Sequence, residues 1–407
     1  MRIKQWLALT SIVCVVMGLA ACETMLPPPP NDDTVLDGPL DGLSGPEARM
    51  FTKGDAAFND QVFTSETGLG PYFVATSCGS CHAGDGKGHL FTTLTRFGQV
   101  DGTGNLFLNQ GGPQLQNRAL PGFLPEKIPT GATFASFTPP AVTGLGFIEA
   151  VPDSVILAMA DPNDDDTDGI SGVPNWNVLP SFVTPSAGAV TLGGKYLARF
   201  GKKAGVYNLF QQSVTAYNQD MGITSAFLPN NPLNPLDGAF PVPSTTPEVS
   251  DEAINAVVLY LQTLKAPVQR DQQDDQVRYG KQLFTQIGCA GCHRPTLRTG
   301  SSPIEALSNK EFHPYTDLLL HDMGIGLDDG YTEGSATTSE WRTPPLWGLG
   351  LSPSSQGGQY FLMHDGRARS IEQAIHMHGG EAINSRTRFL DLSESDRQAV
   401  VRFLKSL

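Results

Sequence analysis

Two short stretches constrain this chain more than any others: Cys78-Gly79-Ser80-Cys81-His82 and Cys289-Ala290-Gly291-Cys292-His293. Each is Cys-x-x-Cys-His, the attachment sequence of a c-type haem. Two thiols at that spacing reach the vinyl groups along one porphyrin edge, and the histidine that follows falls under the iron. A single copy could equally be a zinc or redox Cys-x-x-Cys. Two copies, each with the terminal histidine, predict two covalently bound haem c groups. Cys78, Cys81, Cys289 and Cys292 attach them, and His82 and His293 are the proximal iron ligands. The other two of the six cysteines are Cys14 and Cys22, so none remains for a structural disulfide.

Cys22 closes an N-terminal leader. Met1-Arg2-Ile3-Lys4 is a positive start, residues 6–17 are apolar but too short to span a bilayer, and Leu19-Ala20-Ala21-Cys22 ends the stretch. That ending resembles the lipobox of bacterial lipoproteins, with Cys22 lipidated; an ordinary secretory signal cut after Ala21 is the alternative. Either predicts export to the periplasmic side of the cell envelope. Glu23 after the cysteine favours, by the same resemblance, an outer-membrane lipoprotein held by its lipid anchor. A net charge of −14 argues against nucleic acid and against a polybasic membrane surface. Residues 22–45, with four successive prolines, read as a tether.

The chain then repeats an order. Phe51, Gly54 and Phe58 precede the first haem motif at helical spacing, and Val277, Gly280 and Phe284 precede the second. Ala256-Val257-Val258-Leu259-Tyr260-Leu261 late in the first half parallels Ala399-Val400-Val401-Arg402-Phe403-Leu404 at the chain's end. Ser250 and Ser393 stand at matching N-cap positions before acidic residues. A first helix, a haem motif and a closing amphipathic helix are the order of a cytochrome c domain, shown twice. The expected fold is therefore all-α: two cytochrome c-like domains at residues 46–266 and 267–407, after a signal peptide at 1–21. The first is enlarged by a Gly- and Pro-rich insertion over about residues 90–245. Within it, helices are expected at 153–160 and 203–218, and a loop at 229–247.

Further stretches carry a resemblance. They are Gly68-Leu69-Gly70-Pro71, Gly144-Leu145-Gly146-Phe147-Ile148-Glu149-Ala150, Asp168-Gly169-Ile170-Ser171-Gly172 and Asp220-Met221-Gly222-Ile223-Thr224-Ser225. In the second half they are Leu318-Leu319-Leu320-His321-Asp322-Met323-Gly324, Glu340-Trp341-Arg342-Thr343-Pro344-Pro345, His364-Asp365-Gly366-Arg367-Ala368 and His378-Gly379-Gly380-Glu381-Ala382. Together, over roughly residues 40–407, they resemble the di-haem oxidoreductases related to bacterial di-haem cytochrome c peroxidases. One departure is visible. Many members carry Phe-Gly-Trp-Lys-Ala where this chain has Phe200-Gly201-Lys202-Lys203-Ala204, so any role of that Trp is absent here or moved to Trp176, Trp341 or Trp347.

The resemblance implies a peroxidase-like oxidoreductase. A small-molecule oxidant such as peroxide would be reduced at the N-terminal haem, with electrons from a periplasmic donor relayed by the C-terminal haem. It places a second-haem ligand near His378, with Met323 and Met377 as alternatives, and a distal carboxylate at Glu149. Gly144 and Gly146 would let backbone approach the haem there. Glu381 is a weaker carboxylate candidate. Arg342, Arg367 and Arg369 are expected at the haem propionates, because a fork of donors suits carboxylates. His321 reads more readily as a structural histidine beside a carboxylate than as a ligand. His364 reads as part of a turn packed near a haem, and His89 as a remote ligand candidate. Asp164, Asp166 and Asp168 resemble a Ca2+ loop, although its twelfth position is Asn175 rather than Glu. Thr343 and Pro345 match weakly a calcium site between the haems of related peroxidases. The other function classes left open are a non-enzymatic di-haem electron-transfer lipoprotein and an oxidase of a protein or organic substrate.

Overall fold

The computed structural model describes residues 36–98, 100–101, 104–237 and 246–407. The leader, Cys22 and the start of the tether lie outside the described residues, as does part of the loop expected at 229–247. Helix α1 (Gly45–Asp55) begins at a capping box. Ser44 Oγ accepts from Glu47 N and Glu47 Oε2 accepts from Ser44 N at 2.7 Å, with Pro46 in the first turn. A π-helical turn, Ala56–Asp60, extends α1 toward Cys78.

The helices α2 (Leu145–Glu149) and α3 (Asp153–Leu157) follow in the insertion, and then α4 (Leu209–Met221). Helix α5 (Asp251–Thr263) closes the first half, with Ser250 capping Ala253 N at 3.2 Å. The second half contains α6 (Asp275–Gln286), α7 (Ser352–Ser355), α8 (Ile371–Met377), α9 (Ile383–Leu390) and α10 (Glu394–Ser406). Ser393 caps α10 as Ser250 caps α5, at the same 3.2 Å.

α1 crosses α5, and α6 crosses α10, by the same device. A Cβ on Gly54 would lie 2.1 Å from Ala256 O and 2.7 Å from Tyr260 Cβ. A Cβ on Gly280 would lie 2.0 Å from Ala399 O and 2.9 Å from Phe403 Cβ. Only glycine permits backbone-to-backbone contact that close. Around the first crossing, Phe51 and Phe58 pack on Tyr260, with ring centroids 5.0 and 5.5 Å apart. Around the second, Phe284 and Tyr315 pack on Phe403 at 5.4 and 5.6 Å. These rings anchor two hydrophobic cores. The cores are not sealed from each other within the one compact unit of residues 36–407: Phe312, Leu319 and Trp347 of the second half are buried in the first core.

The all-α expectation is wrong. Thirteen short strands form six small sheets among the described residues. The insertion supplies most of them. β1 (Tyr72–Phe73) pairs with β5 (Arg118–Ala119), β2 (Leu94–Phe97) with β6 (Phe134–Phe137), and β3 (Val100–Asp101) with β4 (Gly104–Asn105). β7 (Asn175–Asn177) and β8 (Thr191–Leu192) flank β9 (Lys195–Ala198). In the second half β10 (Leu297–Arg298) pairs with β11 (Glu311–Phe312), and β12 (Leu320–Asp322) with β13 (Glu340–Arg342). The physical reason is the spacing of glycine and proline, which interrupts helices but leaves short segments free to pair.

Two local expectations shift with it. The helix expected over 153–160 is the shorter α3. The one expected over 203–218 starts only at Leu209, because residues 200–206 form a tight reversal with Phe200 N and Val206 N bonded to each other's carbonyls. Gly201 and Ala204 there have φ of +83° and +50°. No described helix is long and apolar enough to cross a membrane.

Because the two crossings are backbone contacts, Gly54→Ala and Gly280→Ala should each destabilise the protein by ~3 kcal/mol. Thermal unfolding of each variant checks this, and a wild-type unfolding midpoint in either would show that the crossing is not that tight.

Candidate haem centres

Each Cys-x-x-Cys-His stretch forms one tight turn. His82 N and Cys81 N bond to Cys78 O at 3.0 and 3.1 Å, and His293 N bonds to Cys289 O at 3.0 Å. All four cysteines are free and half-buried. Burial pushes the Cys78 thiol up to about 12 and Cys81 up to about 11, in both cases helped by the charge of Asp220. Burial also pushes Cys289 up to about 12.

The two histidines are held alike. His82 Nδ1 lies 2.9 Å from Pro140 O, and His293 Nδ1 lies 3.1 Å from Tyr315 O. A carbonyl can only accept, so Nδ1 carries the proton and Nε2 keeps a lone pair. This is how protein imidazoles are oriented as metal ligands. Burial lowers His82 to about 4, keeping the ring neutral. Burial, and then the nearby His378, lower His293 to about 4. Phe58 packs on His82 at 5.9 Å and Phe284 on His293 at 6.3 Å, so the repeated sequence builds repeated surroundings.

His378 shares this geometry. It ends α8, and its Nδ1 lies 2.7 Å from Ala374 O, so Nε2 is again free. Burial lowers its pKa. Met377 packs on the second core and Met323 on a small cluster with Leu327 and Trp341.

The other histidines are committed elsewhere. His321 uses both ring nitrogens, Nδ1 to Glu381 Oε2 and Nε2 to Asp317 Oδ2, each at 2.8 Å. Burial alone would lower its pKa, but bonds to Asp317, Cys292 and Glu381 outweigh that and hold it well above the ordinary value. His364 stacks on Trp341, with centroids 3.7 Å apart. His89 Nδ1 accepts from Phe91 N, and its ring packs on Phe361.

Glu149 is half-buried at the end of α2, and both its oxygens are engaged. Oε1 accepts from Leu209 N at 2.7 Å, at the start of α4, and Oε2 accepts from Gln262 Nε2 at 2.6 Å. Burial raises its pKa, opposed by those two bonds and by Arg199. The glycines before it serve helix packing. A Cβ on Gly146 would meet Gln262 O at 1.8 Å, and one on Gly144 would meet Trp347 Cζ2 at 2.7 Å.

The cationic residues divide sharply. Arg367 is bound to Asp365 at 2.7 Å and to Gly326 O, and Arg369 lies over the Phe361 ring. Arg342 Nε donates to Gly201 O at 2.8 Å, and burial lowers its pKa to about 10. Lys203 donates to three carbonyls, those of Thr337, Thr338 and Glu340 at 2.8–3.1 Å, and lies over the Trp341 ring.

The side chain of its neighbour Lys202 makes no hydrogen bond or ion pair among the described residues, and neither does that of Lys87. Burial, then Lys87 and Arg342, hold Lys202 well below its ordinary value, and burial lowers Lys87 to about 8. The charge of Lys202 is felt at His82. Sequence reasoning missed both lysines. The one signal was the substitution of Lys202 into an aromatic position of the resembled motif.

The expected calcium loop is a series of side chain-to-backbone turns. Oxygens of Asp161, Asp164 and Asp166 come within 4.8 Å of one another. Asp164 Oδ1 already accepts from Gly169 N, and Asp166 Oδ1 from Asp168 N. Asp168 is turned onto Ile170 N, and Asn175 is bound in β7 to Lys203 O and Glu333 O, outside the loop. Thr343 O accepts from Thr316 Oγ1 and Arg342 Nη1.

A repeated pair of helix crossings, each leading to a Cys-x-x-Cys-His turn with an oriented imidazole, gives the chain two alike candidate haem centres. The family described as "Di-haem oxidoreductase, putative peroxidase" matches residues 135–407, and the chain belongs to it. No curated protein matches the chain. Among solved structures it is similar to hydrazine synthase of Kuenenia stuttgartiensis, determined under xenon pressure, at 13% identity and a TM-score of 0.41, over 91% of this chain and 89% of that one.

The residues fit the two haems that the family implies. His82 and His293 offer oriented nitrogens beside paired thiols. A buried charge is costly unless it is matched. Lys87, Lys202 and Arg342 come from three separate segments and would hold haem propionates. Replacing both lysines, as Lys87→Gln/Lys202→Gln, should lower a haem reduction potential, because a removed cation no longer opposes the ferric charge. Spectroelectrochemical titration at unchanged haem content checks this; an unaltered potential would separate these lysines from the propionates.

Proposed function

We propose that this chain is a di-haem peroxidase-like oxidoreductase in which Cys78, Cys81, Cys289 and Cys292 bind two haem c groups covalently. The observation that carries the reading is an asymmetry between the two centres. At the second, two imidazoles with free Nε2 atoms, His293 and His378, stand close enough for one to perturb the other. At the first, His82 has a cation, Lys202, as its perturbing neighbour. Two histidine ligands saturate a haem and suit it to electron relay. A single one leaves a coordination position for an oxidant.

Haem iron with an open position supplies the redox chemistry of the peroxide O–O bond. Reduction of peroxide to two waters consumes two electrons, from a periplasmic donor by way of the second centre, and two protons. Glu149 is the proton carrier in this reading, because burial raises its pKa toward a value useful for acid–base work. To act so, it must exchange its bonds to Leu209 and Gln262. Export, lipidation at Cys22 and anchoring at the outer membrane belong to the same reading and rest on the leader sequence alone.

The same engagement of Glu149 favours a second reading, a non-enzymatic electron-transfer protein. Glu149→Gln separates the two. Loss of peroxide turnover by at least about a hundredfold, with unchanged thermal stability, is the expected result. Unchanged turnover with a lowered unfolding temperature would make Glu149 a structural link between α2, α4 and α5.

Electron paramagnetic resonance of the as-isolated protein should give one high-spin and one low-spin haem. His378→Ala should convert the low-spin signal to high-spin. Two low-spin signals without peroxide turnover after reduction would leave only the electron-transfer reading.

A further inference from the structure

We infer that His321 is a positioning residue: bound between Asp317 and Glu381, it clamps the 378–382 turn to strand β12 and so keeps the His378 ring at the second haem centre. The inference rests on the reading of His378 as an iron ligand.

His321 is 2% exposed, and the carboxylates on its two nitrogens exclude it from binding iron itself. Its interest lies in what those carboxylates hold. Glu381 stands three residues after His378 and receives four bonds. They come from His321 Nδ1, from Ser171 N at 3.0 Å, from Ser171 Oγ at 2.6 Å and from Asp322 N at 3.1 Å. The turn between His378 and Glu381 therefore cannot lift without breaking all four. Two glycines let it lie flat: a Cβ on Gly379 would be 2.8 Å from Met323 O, and one on Gly380 2.0 Å from Asp322 O. Asp317 is fixed in turn, its Oδ1 accepting from Leu319 N at 3.0 Å.

The cluster also reaches the second Cys-x-x-Cys-His turn. Cys292 Sγ lies 3.5 Å from His321 Nδ1, one residue before His293. A single buried network thus touches the turn that carries His293 and the turn that carries His378, and it draws in Ser171 from the insertion. Buried ionic groups are a poor source of net stability, but they fix one geometry well. An axial ligand at the end of a short helix needs that.

The test compares full-length, haem-loaded wild type with His321→Gln, Glu381→Gln, Ser171→Ala and His378→Ala. Added imidazole reports access to the second iron, and the first-haem signal is the internal control. An added ligand binds in proportion to the open fraction of the site. His378→Ala should open the second centre fully. His321→Gln and Glu381→Gln should raise its apparent imidazole affinity on the order of tenfold, with a high-spin fraction that imidazole converts to low-spin, while the open first haem titrates with imidazole as it does in wild type. If His321→Gln fails to accumulate, the milder Ser171→Ala, which removes one of the four bonds, is read beside Glu381→Gln. The clamp is overturned if His378→Ala opens the centre while the clamp variants behave as wild type, or if both haems loosen equally. If His378→Ala leaves the centre closed, the ligation reading itself fails and the clamp with it.

Discussion

Everything in this molecule hangs on two backbone contacts at glycine. Gly54 sets α1 against Ala256 O, and Gly280 sets α6 against Ala399 O, so closely that no side chain fits between them. Each crossing brings one aromatic of the first helix, Phe58 or Phe284, onto an aromatic of the closing helix and onto the histidine of the turn beyond. The imidazole is then finished by a single backbone carbonyl. Local sequence makes the helices, glycine sets their separation, and that separation places the ring. Buried polar groups nearby follow the same plan, as where Tyr260 of α5 donates to Asp85 at 2.6 Å, three residues beyond His82.

The insertion has a different allegiance from the one its place in the chain implies. It interrupts the first half, yet several of its polar contacts run to the second. Ser171 bonds to Glu381, Gly201 O and Lys202 O accept from Arg342, and Lys203 ties up three carbonyls of residues 337–340. Trp341 is gripped between Lys203 and His364 as a result. The two centres therefore share a polar scaffold, and a change at one has a material route to the other.

The sequence disclosed what repeats and what is local. Paired haem motifs, serine caps and the glycine-aromatic spacing all concern residues a few positions apart, and each is seen in the structure where the spacing put it. The sheets were not legible because their strands are two to four residues long, too short for an alternating pattern to stand out. Residues 200–206 were misjudged for a related reason. The run Lys202-Lys203-Ala204 has good helical propensity, but Gly201 and Ala204 at positive φ turn it back on itself. Site residues fared by the same rule. His82 and His293 are announced by the cysteines just before them, although the carbonyls that orient them, of Pro140 and Tyr315, stand 58 and 22 residues away. The bonds of Glu149 come from Leu209 and Gln262, 60 and 113 residues away, and no spacing announces them.

Lys202 and Lys203 show best how a site is written in three dimensions. They are adjacent and chemically identical, Lys203 buried and Lys202 half-buried. Lys203 faces three carbonyl oxygens and an aromatic face, so its charge is met within the chain. Lys202 points the other way along the same turn, toward Lys87 and Arg342, whose like charges depress its pKa further. Three half-buried cations gathered in one place favour an anion beside them. Asp365, the carboxylate whose field partly offsets the cluster, is already taken by Arg367. The paired carboxylates of a haem edge would supply a matching charge of the right sign. On that argument the lysine standing in an aromatic's place would be part of the cofactor's seat.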